Sequence, residues 1–205
     1  TLLYTEMIVD EAINRGDKKR LLEFNVNEKP VALQLGGSSP KLLAEASKLG
    51  EDFGYDEINL NLGCPSKKVQ KNKFGACLMQ EPNLVAKCIE AMTKATKLPI
   101  TIKTRIGYNE VENFEFLKSF IQTTKDAGSQ KFIIHARKAL LKKLSPKENL
   151  NIPPLKYEFV YKLKDYFKND EIIINGGIKT TEEIKDHLLK VDGVMIGRAI
   201  YHSPY

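Results

Sequence analysis

Apolar and polar positions along this chain follow two periods in turn, and the alternation predicts strands separated by helices. Apolar residues recur at every second position, or fill nearly every position, in seven segments, which predicts strands over 1–8, 31–35, 57–62, 99–105, 131–137, 171–177 and 193–198. Helical spacing predicts helices near 40–53, 83–96, 110–126, 157–167 and after Thr180, with a helical start at 199–203. This order is typical of a parallel sheet with crossover helices.

The number of strand–helix units indicates the architecture. Seven units are one fewer than a (β/α)8 TIM barrel contains, so we expect such a barrel lacking its first strand. A doubly wound open sheet is the alternative, although no G-x-G-x-x-G follows the first predicted strand. A chain of 205 residues fits one domain over 1–205.

Composition narrows the class of protein. No apolar run approaches the ~20 residues of a membrane span and no signal peptide opens the chain, so we expect no membrane partner. Three cysteines without paired spacing predict neither a disulfide framework nor a metal site. This favours a reducing compartment, and we therefore expect the cytoplasm. Targeting to an organelle stays open. The net charge of +6 by itself is a weak indication of a nucleic-acid partner.

Polar residues stand at nearly every predicted strand end, where a barrel places its active site. Burying such side chains inside an apolar barrel costs free energy unless they are paired. Their recurrence at the strand ends therefore predicts a functional site there. The residues at these ends are Glu6, Gln34, Asn61, Cys64, Lys103, Arg105, His135, Arg137, Asn175, Gly197 and Arg198.

Residues 57–66 place Cys64 on a turn between Gly63 and Pro65, directly after a strand. About twenty residues then separate this strand from the next predicted helix, and a connection of that length usually has a function. A second long connection covers 136–153. A thiol beside two basic loops indicates chemistry on a polyanion, although a free cysteine is more often a buried apolar residue. The lysines of the two loops are Lys67, Lys68, Lys71 and Lys73, and Lys138, Lys142, Lys143 and Lys147.

The last two strands are followed by residues 175–177 (Asn-Gly-Gly) and by Gly197 and Arg198. Loops after strands seven and eight of a barrel frequently bind phosphate, and a short helix often closes the site. Glycines let backbone N–H groups approach the anion, and an arginine adds a fork of donors. The pattern predicts a phosphorylated substrate or a phosphate-bearing cofactor such as FMN. The alternative is a simple turn with a solvated arginine.

Lys103 and His135 each have two interpretations. Lys103 is either a lysine whose ammonium reaches solvent from the barrel end or a cation near the electron-rich edge of a flavin. His135 is either a hydrogen-bonded core residue or a ligand contact. The other two cysteines are assigned structural places, Cys88 in the core and Cys77 as a loop anchor.

Seven motifs in the same order along the chain resemble the tRNA-dihydrouridine synthases, and the pattern is closest to the DusA-type branch. The combination of N-x-G-C-P-S with K-T-R and H-A-R is the most specific part of the resemblance. The motifs are 60–66 (LNLGCPS), 74–79 (FGACLM), 101–105 (TIKTR), 134–137 (IHAR), 144–149 (LSPKEN), 174–177 (INGG) and 193–198 (GVMIGR).

The resemblance implies an FMN-dependent reductase that converts uridine to 5,6-dihydrouridine in the D-loop of tRNA. It implies that NADPH reduces the flavin, that hydride reaches C6 of the uracil, and that Cys64 protonates C5 from the opposite face. A free thiol has a pKa of about 8.5, so a cysteine can carry this proton at neutral pH.

The residue roles that the resemblance implies fall into three groups. Cys64 is the catalytic acid, and the substrate contacts are Asn61, Arg137 and Lys147. Leu150 stands where bacterial relatives are expected to carry a basic residue. The implied cofactor contacts are Gln34, Lys103, His135, Asn175, Gly176, Gly177, Gly197 and Arg198.

The resemblance also implies two absent parts, the first barrel strand and a C-terminal helical domain that grips tRNA. We therefore expect a partial FMN-binding catalytic domain that binds FMN poorly and is inactive alone, and a monomeric full-length protein. Two alternatives remain open at this point. One is a flavoenzyme that reduces free pyrimidines, and the other is an RNA-binding or tRNA-folding module without redox activity.

Overall fold

A computed structural model describes residues 1–142 and 144–202. Lys143, one lysine of the second basic loop, lies outside the described residues, as does the predicted helical position 203. The described strands are β1 Leu3–Tyr4, β2 Ile8–Val9, β3 Val31–Gly36, β4 Glu57–Asn61, β5 Ile100–Arg105, β6 Lys131–His135, β7 Glu171–Asn175 and β8 Gly193–Met195. The α-helices are α1 Asp10–Arg15, α2 Lys18–Leu22, α3 Pro40–Asp52, α4 Lys67–Lys71, α5 Pro82–Ala95, α6 Phe114–Asp126, α7 Tyr157–Tyr166, α8 Thr181–Leu188 and α9 Arg198–His202.

All paired strands are parallel and neighbours in the sheet are neighbours in the chain, in the order β1-β3-β4-β5-β6-β7-β8, with β2 also paired to β3. A doubly wound sheet reverses its strand order at a switch point, and this order contains no reversal. Among the described residues β1 and β8 are not paired with each other. The prediction of a partial TIM barrel is therefore confirmed.

The two faces of the sheet differ in polarity because successive side chains of a strand point to opposite sides. Ile58 and Leu60 of β4 are fully buried on the side of the helices, where Ile58 lies against Gly50 of α3. The alternate positions Glu57, Asn59 and Asn61 are also buried but point into the barrel. The apolar core therefore lies between sheet and helices, and the barrel interior is polar.

The helix caps follow the sequence signals. Ser39 accepts a hydrogen bond from the backbone N–H of Leu42 and Pro40 opens α3, as predicted. Thr180 and Glu183 form the predicted reciprocal capping box of α8. Among the described residues no helix combines the length and the apolar character that crossing a membrane requires.

Three predictions of local structure were wrong in part. The predicted strand 1–8 is two short strands, and α1 and α2 follow it in a region where no helix was predicted. The connection 63–80 is not irregular, since Ser66 caps α4 and a 3₁₀ helix covers Gly75–Gln80. The last strand ends at Met195, and Arg198 already begins α9. The helices that were missed have six residues or fewer, at most about two turns, which is too short for a helical period to show.

Candidate active site

A cavity of about 1070 Å³ opens at the carboxyl ends of the strands and extends into the barrel. Cys64 after β4 and Gly197 after β8 line this same cavity, so the predicted thiol and one glycine of the predicted phosphate pocket share one opening, whereas Asn175, Gly176, Gly177 and Arg198 are not among the lining residues. Glu6 is exposed between β1 and β2, away from the lining, although its position in sequence placed it at a strand end. The predicted site residues that line the cavity are Gln34, Asn61, Cys64, Lys103, His135 and Gly197.

Cys64 is held by its backbone. The side-chain oxygen of Asn61 accepts hydrogen bonds from the N–H groups of Gly63 and Cys64, at 3.1 and 2.9 Å. The Cys64 carbonyl accepts from Ala76 N at 2.9 Å, and Gly75, with φ +73°, lies so close that a Cβ there would stand 2.6 Å from that carbonyl oxygen. The thiol is half-buried on the cavity wall, not packed in the core.

Lys103 points across the barrel. Its Nζ donates to Asn175 Oδ1 at 3.0 Å, and Asn175 Nδ2 donates to the Met195 carbonyl at 2.8 Å, which ties β5, β7 and β8 together. Burial lowers the pKa of Lys103 to about 8, and the Arg105 guanidinium contributes to the same shift. The ammonium therefore faces the cavity from inside the barrel, which contradicts the alternative of a solvated lysine.

His135 is buried, and its Nε2 atom has no hydrogen-bond partner among the described residues. Burial lowers the pKa of His135 to about 2, with further contributions from four cations, Lys103, Arg105, Arg137 and Arg198. The ring is therefore neutral at physiological pH, and positive charge surrounds it. Since an unpaired buried polar atom is costly, Nε2 favours a ligand that offers it a hydrogen bond.

Two arginines connect the loops at this end of the barrel. Arg105 donates from Nε to the Gly63 carbonyl at 2.9 Å and from a terminal nitrogen to the carbonyls of Lys138 and Asn149, at 3.2 and 3.1 Å. Arg137 donates to the Asn151 and Pro153 carbonyls, while its buried Nε has no partner among the described residues. Arg105 thus fixes the turn that carries Cys64 against the loop after β6.

The glycine pair after β7 adopts a backbone that suits no other residue. Gly176 and Gly177 have φ values of +121° and +74°, and a Cβ on Gly176 would stand 2.9 Å from the His135 ring. Tyr157 of α7 fixes the pair by donating its hydroxyl proton to the Gly176 carbonyl at 2.6 Å. A Cβ on Gly197, in contrast, would meet nothing within 4 Å, so the backbone after β8 faces open space.

We expect Gly177→Ala to destabilise the protein by about 1–3 kcal/mol, because alanine would need φ +74° and its Cβ would stand 2.7 Å from Leu155. The matched variant Gly197→Ala is expected to stay within about 0.5 kcal/mol of the parent. Urea unfolding of both variants measures the difference. Equal stabilities would contradict the left-handed turn as described.

The lysines of the two long connections lie on the active-site face, since both connections follow carboxyl ends of strands. Gln70 links them by donating to the carbonyls of Pro65 and Leu141, at 2.8 and 2.9 Å. Lys147 is exposed next to Pro146, which lines the cavity. The exposed lysines of the first connection form no ion pair within the described part of the chain; they are Lys67, Lys68, Lys71 and Lys73.

Sequence reasoning missed three kinds of site residue. Arg105 was noted only as a strand end, although it shares the inward face of β5 with Lys103. Asn149 is fully buried, and its side chain binds the backbone of Leu140, Leu144 and Ser145, which shapes the loop after β6. Glu57 and Asn59 precede Asn61 on β4 at every second position, so the sequence did indicate that their side chains share its face of the strand.

These observations define a class of protein: a parallel (β/α) barrel with a thiol and a cluster of cations around one cavity at its strand ends. The chain belongs to the dihydrouridine synthase (Dus) family, whose family description matches residues 1–205.

Its relatives carry one name. Three proteins named tRNA-dihydrouridine(20/20a) synthase, from Synechocystis sp., Vibrio vulnificus and Pseudomonas aeruginosa, are 58%, 55% and 51% identical to the whole chain. The chain spans 61–63% of the length of these relatives.

Proposed function

We propose that the full-length protein reduces uridine to 5,6-dihydrouridine in tRNA, with FMN as the bound cofactor and NADPH as the electron donor. The observation that carries the proposal is the placement of Cys64 and Lys103 on one cavity. Family membership and the name of the relatives support it. We further propose a monomer in the cytoplasm and a single catalytic barrel domain over 1–205.

The cavity fits FMN in size and in chemistry. Its volume of about 1070 Å³ slightly exceeds the ~300–1,000 Å³ of ligand pockets and includes space near Lys131 and Glu171 at the amino ends of the strands, so it leaves room for a cofactor together with a nucleobase. His135 Nε2 has no hydrogen-bond partner within residues 1–142 and 144–202, and the surrounding cations favour an anionic group. Lys103 and Gln34 would contact the ring system, and Asn175, Gly176, Gly177, Gly197 and Arg198 would surround the phosphate. Bound FMN supplies the hydride that C6 of the uracil receives.

Cys64 would supply the proton. In this proposal its thiol protonates C5 of the uracil from the face opposite the cofactor, and solvent later restores the proton. The turn fixed by Asn61 and Arg105 holds the sulfur at the cavity wall, where a base inserted from the opening can reach it.

Asn61 would orient the base through its amide nitrogen. Its oxygen already accepts two backbone N–H groups, so only an N–H remains to be offered to the cavity. Such a donor matches a carbonyl oxygen of uracil.

The basic loops would hold the RNA. Exposed lysines of both connections lie on the face where the cavity opens, and lysine–phosphate contacts weaken steeply as salt rises. A uridine inside folded tRNA must leave its stack to enter the cavity, which is the base-flipping problem. Arg137 and Lys147 would act in this step, although Arg137 also holds two loop carbonyls.

Nucleoside mass spectrometry of tRNA tests the proposal. Unmodified tRNA incubated with full-length protein, FMN and NADPH is expected to gain dihydrouridine, whereas free uridine is not expected to react. Reduction of free uridine alone would favour the pyrimidine reductase alternative. A full-length protein that binds tRNA without a flavin absorbance spectrum would favour the RNA-binding module.

FMN affinity of the full-length protein is expected to fall as pH rises through about 8. Burial has lowered the pKa of Lys103 to about 8, so above that pH the free protein carries a neutral Lys103 amine. FMN binding must then be accompanied by uptake of a proton. Affinity then falls by up to about tenfold per pH unit. Fluorescence titration from pH 7 to 9.5 measures it. Lys103→Arg, which keeps its charge, is the control, and an equal slope in that variant would contradict the assignment to Lys103.

A further inference from the structure

We propose that Glu57, at the amino end of β4, is a positioning residue for Cys64 at the other end of the barrel. The inference rests on the proposed function, because it takes Cys64 as the proton donor. Four hydrogen bonds in series join the Glu57 carboxylate to Asn61, whose side chain holds the Cys64 turn.

The series runs through the polar interior of the barrel. Thr101 Oγ1 donates to Glu57 Oε1 at 2.6 Å, and Asn59 Nδ2 donates to Thr101 Oγ1 at 2.8 Å. Gln34 Nε2 donates to Asn59 Oδ1 at 3.0 Å, and Asn61 Nδ2 donates to Gln34 Oε1 at 2.8 Å. Because Glu57, Asn59 and Thr101 are buried, water is not a ready substitute for their partners, whereas Gln34 and Asn61 lie at the cavity wall.

The carboxylate sets the direction of every bond in this series. A carboxylate only accepts hydrogen bonds, so the Thr101 hydroxyl must donate to Glu57 and can only accept from Asn59. Asn59 therefore turns its nitrogen to Thr101 and its oxygen to Gln34. The same reasoning turns the nitrogen of Gln34 to Asn59 and its oxygen to Asn61.

The last member of the series is fixed in the same way. Asn61 must present its nitrogen to Gln34, which leaves its oxygen for the backbone N–H groups of Gly63 and Cys64. With the amide reversed, its NH₂ group would face those two donors and the turn would lose both hydrogen bonds. The carboxylate at one end of the barrel and the two backbone N–H groups at the other thus favour the same amide orientation, and the series adds the effect of the charge to the hold on the thiol.

Two further side chains contact the Glu57 carboxyl group. Its second oxygen pairs with Lys131 Nζ at 2.8 Å, and the Tyr4 hydroxyl donates to the first oxygen at 2.9 Å. Tyr4 binds the same carboxylate oxygen as Thr101 but leads to no other member of the series. It therefore offers a matched control, since its removal takes one hydrogen bond from Glu57 without breaking the connection to Asn61.

The test compares Thr101→Val, Thr101→Ser and Tyr4→Phe in the full-length protein, with tRNA as substrate. Valine has the shape of threonine without the hydroxyl, so the series is cut at Thr101. Asn59 then loses the partner of its amide nitrogen, and Asn61 is held only from the Cys64 side and by Gln34. We expect Thr101→Val to lower kcat about tenfold or more while KM for tRNA changes less than about twofold. Thr101→Ser keeps a hydroxyl at this position and should have the kcat of the parent. Tyr4→Phe should also have the kcat of the parent.

A second measurement is independent of turnover. Alkylation of Cys64 by iodoacetamide, followed by peptide mass spectrometry, reports how firmly the turn is held, with Cys77 as an internal reference. We expect Cys64 in Thr101→Val to react about threefold faster or more, with Cys77 unchanged. If Thr101→Val does not fold, Glu57→Gln replaces it, because a glutamine amide can donate to Thr101 and no longer sets the direction of the series.

Three kinetic results would overturn the inference. They are a kcat for Thr101→Val within about twofold of the parent, a Thr101→Ser variant as slow as Thr101→Val, and a Tyr4→Phe variant that is equally slow. Unchanged alkylation of Cys64 in Glu57→Gln would also overturn it. A parent protein that forms no dihydrouridine would count against the proposed function alone, since the alkylation rates still decide whether Glu57 positions Cys64.

Discussion

Full-length protein carrying Cys64→Ser is expected to form dihydrouridine at least about a hundredfold more slowly than the parent, since general acids contribute about 10²–10⁴-fold. Serine occupies nearly the same space and keeps the backbone hydrogen bonds of residue 64, but its hydroxyl is far too weak an acid to protonate C5. FMN binding should be unchanged, because the cations and glycines of the cofactor site are untouched. Single-turnover oxidation of the reduced enzyme by unmodified tRNA measures the step.

Cys77→Ser is the matched control. Its sulfur donates to the Phe74 carbonyl at 3.0 Å inside the 3₁₀ helix, and serine can make the same hydrogen bond. We expect turnover close to that of the parent. If Cys64→Ser turned over as fast as Cys77→Ser, the proton would have to come from another group and the role of Cys64 would be wrong.

The second large effect is expected for Lys103→Met, which should weaken FMN binding about tenfold to a hundredfold, because a hydrogen bond to a charged group contributes about 1.5–3 kcal/mol. Methionine fills the space of the lysine stem but removes the ammonium that donates to Asn175 and faces the cavity. Equilibrium titration with FMN, followed by flavin fluorescence, measures the change.

Stability separates this effect from misfolding. Burial has already lowered the pKa of Lys103, which shows that its charge is held at a cost, so Lys103→Met should unfold at a urea concentration no lower than the parent. Lys94→Met, the same change at an exposed position of α5, should alter neither binding nor stability. If Lys103→Met both bound FMN more weakly and unfolded at a lower urea concentration than the parent, a direct contact between Lys103 and FMN would be contradicted.

The sequence predicted the strands and most long helices because each carries a repeated local signal. Residues 57–62 and 99–105 show their strands through apolar residues, and Ser39 and Thr180 mark helix starts through side chains that cap backbone N–H groups. The split of 1–8 into two strands and the short helices in 63–80 were not predictable in this way. Their stability depends on contacts such as the Ala76–Cys64 hydrogen bond, which join residues distant in sequence.

The candidate site, too, could be predicted from the sequence only in part. Motifs placed Cys64, Lys103 and His135 at strand ends, but alternation alone could not tell which face of a strand lines the cavity. Arg105 illustrates the difference, because its partners are the carbonyls of Gly63, Lys138 and Asn149 on two separate loops. No spacing in the sequence encodes that connection.

By itself, then, the sequence determined the order of strands and helices, the barrel class and the residue types at the strand ends, because each depends on neighbours within a few positions. Only the tertiary structure decided that Cys64 and Gly197 share one cavity, that His135 is neutral with no partner for its Nε2 in the described part of the chain, and that Glu57 connects to Asn61 through the barrel. These properties arise from burial and from hydrogen bonds between strands, and both exist only once the sheet has curled.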